Sequence, residues 1–311
     1  MRDKEKNFVS AVVYIYNAEN RIEKFLKAII DVLESNFDHS EIICVNDSST
    51  DNSLNIIKNV SQFTVSTSIS VVNMSFFHGL EAAMSAGVDL SIGDFVFEFD
   101  NTVLDFEGKD FMRVYHRMLA GYDIVSAIPD RKERFSSRLF YSVFDMFADS
   151  SYRMHTESFR ILSRRAINRI NAMNTIVLYR KAIYASQGLK RDSIVYRPCK
   201  KMEKQSTREM KYRSKLAVDS LILFTEIGYR LSITLTIFMM IISAFMIVYS
   251  IAIFITATPV AGWTTTILFL SVAFFGLFSI LTIIIKYMQL LLKLAFKRKH
   301  YTFEEIEKLT K

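Results

Sequence analysis

Residues 41–51 read EIICVNDSSTD, and the fold turns on how this stretch is read. Ile42, Ile43, Cys44 and Val45 form an unbroken apolar run, the pattern of a short buried strand. The run gives way at once to Asn46, Asp47, Ser48, Ser49, Thr50 and Asp51. A buried strand that ends in acidic and hydroxyl residues and leads into a helix sets those residues at the carboxyl edge of a parallel sheet. Ligands of open α/β folds bind at that edge. Asp47 and Asp51 are suited to accept hydrogen bonds from a sugar or a base, and Ser53 to cap the helix that follows. Loops that merely cap a helix use the same residue types, so the stretch alone leaves that alternative open.

The alternation of strand and helix extends to both sides. Residues 8–16 (FVSAVVYIY) read as a first strand. After a turn at residues 17–20, residues 21–34 carry Ile22, Phe25, Leu26, Ile29, Ile30 and Leu33 at helical spacing. Beyond residues 41–45 the pattern predicts a helix over 53–63, a strand over 70–74 and a helix over 80–90. That last helix carries Ala82, Ala83, Ala86 and Gly87, which permit close packing. A strand over 94–99 (DFVFEF) follows. Such alternation predicts an α/β domain with a mostly parallel sheet flanked by helices, while the order of the strands is not encoded in it.

The fourth strand runs into Asp100, Asn101, Thr102, Val103, Leu104 and Asp105, a second acidic strand end at the same edge. Two such ends converging on one crevice mark a site better than either alone. Further on, the pattern predicts a helix over 108–121, a strand over 122–128, a strand over 159–162, helices over 163–173 and 176–190, and an edge strand over 194–198. Residues 131–147 begin with Arg131, Lys132, Arg134 and Arg138 and end with Leu139, Phe140, Val143, Phe144 and Phe147. This basic amphipathic segment suits a membrane surface or a phosphate, and equally an ordinary core helix with a solvated charged end.

The chain of 311 residues is half hydrophobic and carries a net charge of +7. Its mean hydropathy is +0.20, and the apolar excess lies after about residue 216. Cys44 and Cys199 are too few for a disulfide framework or a zinc site. No basic-aromatic platform suggests nucleic acid. The charged start, MRDKEKNF, is unlike a cleavable signal and predicts a cytoplasmic front. Residues 231–256 and 263–285 are free of charge, and a helix over the first would be about 39 Å long, enough to cross a ~30 Å hydrocarbon core. Arg230 and the basic linker 200–215 precede the first span, and Lys286, Lys293, Lys297, Arg298 and Lys299 follow the second. The connecting turn has no Lys or Arg, so both termini are expected in the cytoplasm. The expected organisation is a catalytic domain over 1–199, a linker with a juxtamembrane interfacial helix over 200–230, two transmembrane helices over 231–285 and a basic tail over 286–311.

In this order the motifs resemble membrane-bound family-2 glycosyltransferases of the polyprenyl-phosphate type, the group of bactoprenol glucosyl transferases and dolichol-phosphate mannose synthases. VVYIYNAEN, residues 12–20, is similar to the family's VVPVYNEEE, which implies Tyr16, Asn17 and Glu19 beside the nucleotide. VNDSSTDNS, residues 45–53, is similar to VDDGSxD, which implies Asp47 and Asp51 at base and ribose, although Asn46 and Ser48 depart from the pattern. SRLFY (137–141), FRILSRR (159–165) and the pair Lys211-Tyr212 also match. The family's DxD metal motif keeps Asp100 and the later Asp105 but has Thr102 as its second ligand. The aspartate of the family's GDFR is Ser158 here, and the arginine of its GxR motif falls at Pro129, with Arg131 nearby.

The resemblance implies a GT-A-like sheet followed by a two-helix transmembrane hairpin in a bacterial inner membrane, and a homo-oligomer. It implies inverting transfer of a sugar from a nucleotide-sugar, a UDP-sugar by preference, to a polyprenyl phosphate. Asp100 and Asp105 would be the catalytic carboxylates. A divalent cation, Mg²⁺ or Mn²⁺, would sit on Asp100 and weakly on Thr102. Arg131, Arg138, Arg160, Arg164 and Lys211 would bind the lipid phosphate or the diphosphate. Asp105 or Glu98 would compensate for the lost carboxylate, with Glu98 expected on a different side of its strand from Asp100. The altered motif keeps open a catalytically degenerate homologue with a scaffold or regulatory role, and a transferase without a metal.

Overall fold

The computed structural model describes residues 4–131, 142, 155–172, 179–186, 188–199, 227–256, 262–295 and 303–310. The chain divides into two compact units, Met1–Ala217 with Arg298–Lys311, and Val218–Lys297.

The first unit alternates as its sequence predicts: β1 (Val9–Ile15), α1 (Ile22–Asn36), β2 (Ser40–Asn46), α2 (Ser53–Ser61), β3 (Thr67–Met74), α3 (Leu80–Leu90), β4 (Phe95–Phe99), α4 (Gly108–Met118) and β5 (Ile124–Pro129). Then come β6 (Phe159–Ser163), α5 (Arg164–Ala172), α6 (Arg180–Ser186) and β7 (Arg191–Tyr196). A strand from the far end of the chain, β8 (Phe303–Lys308), completes the sheet in the order β7-β5-β6-β4-β1-β2-β3-β8. β1 pairs in parallel with β2 and β4, β2 with β3, and β5 with β7. β6 runs antiparallel between β4 and β5, and β8 antiparallel to β3. The carboxyl ends of β1 to β5 and β7 therefore meet at one edge, joined there by the amino end of β6.

The two faces of β4 differ in chemistry. Phe97 and Phe99 join Phe106, Phe111 and Phe159 in an aromatic cluster, with the Phe97 and Phe111 rings 3.8 Å apart. On the other face lie Val96 and Glu98, both without solvent exposure. α1 buries Ile22, Phe25, Leu26, Ile29, Ile30 and Leu33, the stripe its spacing predicts. α3 approaches the sheet most closely at Gly87, where a Cβ would lie 2.5 Å from both Val12 Cγ1 and Val45 Cγ2. β8 covers an edge that β3 would otherwise expose. Leu309 N donates to Ile69 O, Ile69 N donates to Thr310 Oγ1, and Lys58 pairs with Glu307 at 2.7 Å. No strand was expected in this tail, because FEEIEK alternates charge and apolar residues too briefly to stand out.

The second unit contains α7 (Ile227–Thr256) and α8 (Trp263–Ala295). Ser232–Thr256 and Trp263–Met288 are long and apolar enough to cross a membrane. Where the two helices face each other they bury Thr236, Ser243, Ser250 and Ser271, small residues that let helices approach. Ser250 Oγ donates to Thr264 O. Large apolar side chains such as Phe238, Ile241, Phe245, Phe269 and Ile280 point outward. The segment 132–141, the linker 200–215 and the juxtamembrane stretch 216–226 lie outside the described residues, and with them Arg138 and Lys211.

Because a Cβ at Gly87 would press on the stiff, fully buried side chains of Val12 and Val45, Gly87→Ala is expected to lower stability by about 1–3 kcal/mol in chemical denaturation of the full-length protein. A midpoint equal to the wild type would contradict this close contact.

Candidate active site

The loops after β1 and β2 are stitched together. Asn17 Oδ1 accepts from Thr50 N at 2.9 Å, and Asn17 N donates to Ser49 Oγ at 3.1 Å. Glu19 N donates to Asp51 Oδ2 at 2.9 Å, and Glu19 Oε2 accepts from Asn52 N at 3.1 Å. Asp51 Oδ1 accepts from Ser53 N, so Asp51 serves the start of α2. The expectation for Ser53 is corrected here: its hydroxyl accepts from Ala18 N and does not cap its own helix. The Tyr16 ring lies 4.8 Å from that of Phe77. Asn17 and Ser48 adopt φ of 46° and 56°. Asn tolerates this left-handed region, whereas Ser carries a steric cost there. Ser48 is also the position at which the resembling motif has glycine.

Asp47 is fully buried. Its Oδ1 accepts from His78 N, and its Oδ2 from Gly79 N and the Tyr14 hydroxyl, at 2.8 to 3.0 Å. Burial raises its pKa despite these donors. The carboxylate therefore fixes the turn into α3. Asn17, Glu19 and Asp51 stay on the surface of the same edge.

At the end of β4 two arginines lie among four carboxylates. Arg160 and Arg180 are 1% and 2% exposed. Arg160 Nη1 is 2.7 Å from Glu98 Oε2, its Nε 2.9 Å from Glu157 Oε2 and its Nη2 2.5 Å from Asp100 Oδ2. Arg180 Nε is 2.9 Å from Glu81 Oε2, its Nη1 2.9 Å from Glu98 Oε1 and its Nη2 2.5 Å from Asp100 Oδ1. The Tyr184 hydroxyl donates to Glu98 Oε1, and Lys181 lies 3.8 Å from Glu157. Burial alone would raise the Asp100 carboxyl, but Arg160 and Arg180 hold it well below the usual carboxylate range. Glu98 and Asp100 are two residues apart and share one side of the strand, which corrects the expectation that they would point apart.

The other predicted residues divide. Asp105 is buried, accepts from the Tyr196 hydroxyl at 2.8 Å and from Ser158 Oγ, and pairs with Arg131 at 3.2 Å. It braces β5, β6 and β7, so it is not open to a reacting group or an ion. Arg131 remains one-quarter exposed at the crevice edge. Arg164 bonds Gly93 O and Ser91 Oγ at the amino end of β4, the edge opposite Asp100, so it is corrected to a structural strut. Thr102 is buried and neutral. Arg180 and Glu81 were not expected. Glu98 held the clue, since a charge within an apolar strand must find a buried cation.

A divalent cation on Asp100 would have to share carboxylate oxygens that guanidiniums already hold. Both oxygens of Asp100 are engaged by guanidiniums, and Asp105 and Glu98 are bound elsewhere. Among the described residues no group of three or more His, Cys, Asp or Glu is arranged to hold a metal.

The description Glycosyl transferase family 2 matches residues 10–186, more than half of the chain. The chain belongs to this family. It is therefore a glycosyltransferase, and its sheet takes its place among GT-A-like folds. It is 28% identical over 196 residues to the prophage bactoprenol glucosyl transferase homolog of Escherichia coli, covering 60% of this chain and 62% of that one. To the Bacillus subtilis protein CsbB it is 24% identical over 314 residues, 97% of this chain and 92% of that one. Mannosyl-3-phosphoglycerate synthase of Rubrobacter xylanophilus shares the fold, with a TM-score of 0.53 at 16% identity over 70% of this chain and 73% of that one. A glucosyl-3-phosphoglycerate synthase from Mycobacterium tuberculosis, solved with Mn²⁺ and UDP, has a TM-score of 0.48 at 13% identity, covering 70% of this chain and 79% of that one. That likeness does not carry its ion to this family member.

Ser48→Gly is expected to stabilise the protein by about 0.5–1 kcal/mol, since glycine takes a positive φ without steric cost. The shift in thermal midpoint checks this, and a lowered midpoint would contradict a strained Ser48.

Proposed function

We propose that this glycosyltransferase moves a sugar from a nucleotide-sugar, a UDP-sugar by preference, to a polyprenyl phosphate at the cytoplasmic face of a bacterial inner membrane. The observation that carries the reading is the joining, in one chain, of a family-2 domain over residues 10–186 to two helices with apolar spans of 25 and 26 residues. The bactoprenol glucosyl transferase names of several relatives support the acceptor. These relatives match over about three-fifths of their length, and their acceptor comes to this chain as part of the proposal. Residues before and after the two helices belong to one compact unit, which supports a hairpin with both termini on one side. The excess of Lys and Arg at the helix flanks supports the cytoplasmic side.

In this reaction an oxygen of the lipid phosphate attacks the anomeric carbon as its bond to the diphosphate breaks, and the configuration inverts. The products are a lipid-phosphate sugar and a nucleoside diphosphate. A phosphate monoester is already anionic near neutral pH, so the step asks for no protein base. The protein has to bring two anions together. Tyr16, Asn17, Glu19 and Asp51 would line the nucleotide side, held by the stitched loops. Arg131 would meet the diphosphate, and the basic segment with Arg138 and Lys211 would serve the lipid phosphate.

Full-length protein in detergent, given polyprenyl phosphate and a panel of UDP- and GDP-sugars, is expected to release nucleoside diphosphate from one donor only when the lipid is present. Arg131→Met is expected to reduce that release by about 100-fold, the scale of a lost preorganised electrostatic contact. Folded protein without lipid-dependent release from any donor would turn the reading toward a scaffold role.

A further inference from the structure

We propose that this site holds no divalent cation, because the buried guanidiniums of Arg160 and Arg180 occupy the Asp100 oxygens on which one would sit. The inference rests on the transferase reading and concerns how its charge is balanced. In a site built on two aspartates, the cation neutralises the carboxylates and the diphosphate together. Here both oxygens of the first aspartate are already held by guanidiniums. Asp100 Oδ1 lies 2.5 Å from Arg180 Nη2 and Oδ2 2.5 Å from Arg160 Nη2, so each oxygen faces a fixed positive charge. The second ligand position, Thr102, is a buried hydroxyl without charge.

Neighbouring carboxylates supply no substitute. Glu98 is fully buried, accepts from Arg160 and Tyr184, and pairs by charge with Arg180. Glu81 and Glu157 face Arg180 and Arg160, and Asp105 faces Tyr196, Ser158 and Arg131. An ion approaching Asp100 would meet two guanidiniums that cannot deprotonate. Arg160 is fixed by Glu98 and Glu157, and Arg180 by Glu81 and Glu98, so moving either aside strips buried carboxylates of an ion-pair partner. Arg160 and Arg180 are thus positioning residues. They hold the Asp100 carboxylate in place, and the partly exposed Arg131 is left to meet the diphosphate.

The test uses full-length protein in detergent and Mn²⁺ as the probe, read by electron paramagnetic resonance with and without UDP. No immobilised Mn²⁺ is expected in either case, and lipid-dependent release is expected to agree within about twofold between EDTA and Mn²⁺. Stoichiometric immobilised Mn²⁺, or release abolished by EDTA and restored by Mn²⁺, would overturn the proposal. Arg180→Met frees one Asp100 oxygen and is expected to tighten Mn²⁺ binding at least tenfold, a gain that a merely structural arginine would not give. Should that variant not fold, the wild-type resonance decides alone. Absence of all transfer would count against the transferase reading, while the Mn²⁺ signal still reports on the site itself.

Discussion

The structure depends on pairing charges that the sequence places inside it. Glu98 sits in the middle of a sheet with no exposure, and a lone buried carboxylate is costly enough that it must gain a cation or a proton. Arg160 is its direct cross-strand partner on β6 and is paired with Ser126 of β5 on its other side. A one-residue slip of β6 would turn Arg160 toward the aromatic cluster and leave Glu98 without its cross-strand partner. The ion pair therefore fixes the register of the antiparallel strand that joins the two halves of the sheet. Arg180 closes the network from α6 and ties Glu81 of α3 to Glu98 and Asp100 of the β4 end. A network of this kind contributes little net stability over a well-packed apolar core, but removing one member is expensive. Its consequence is specificity: it determines where β6 and α6 go, and thereby what surrounds Asp100.

Much of the frame was legible in the sequence. The run ahead of Asp47, the six-residue stripe of α1 and the small residues of α3 each follow from a single period, and each forms as read. The antiparallel insertion of β6 was not legible, because a five-residue apolar strand carries no mark of direction. Nor was β8, which contributes mainly edge hydrogen bonds and one ion pair rather than a buried face. At the site, proximity to the edge was readable and availability was not. Asp47, Asp100 and Asp105 all reach the carboxyl edge, yet each is taken up by donors from elements far away in sequence. Arg180 was hidden because YRKAIYAS reads as an ordinary helix start; only Glu98 in DFVFEF signalled that a buried cation had to arrive from somewhere.

The ends of the chain share this economy. The tail that follows α8 returns to the first unit and seals β3, so the two apolar helices are an excursion from a single domain. The loops that would receive the nucleotide are held by backbone-to-side-chain bonds between the β1 and β2 ends, and need no ligand to define them.

A double-mutant cycle between Glu98 and Arg160 tests the central claim most directly. Glu98→Gln, Arg160→Met and the double variant would be compared with the wild type by denaturant unfolding followed by circular dichroism. The account predicts a coupling of about 2–3 kcal/mol, the upper range for residues within one ion-pair network. Additive effects, with coupling under about 0.5 kcal/mol, would contradict the claim that this pair organises the sheet around Asp100.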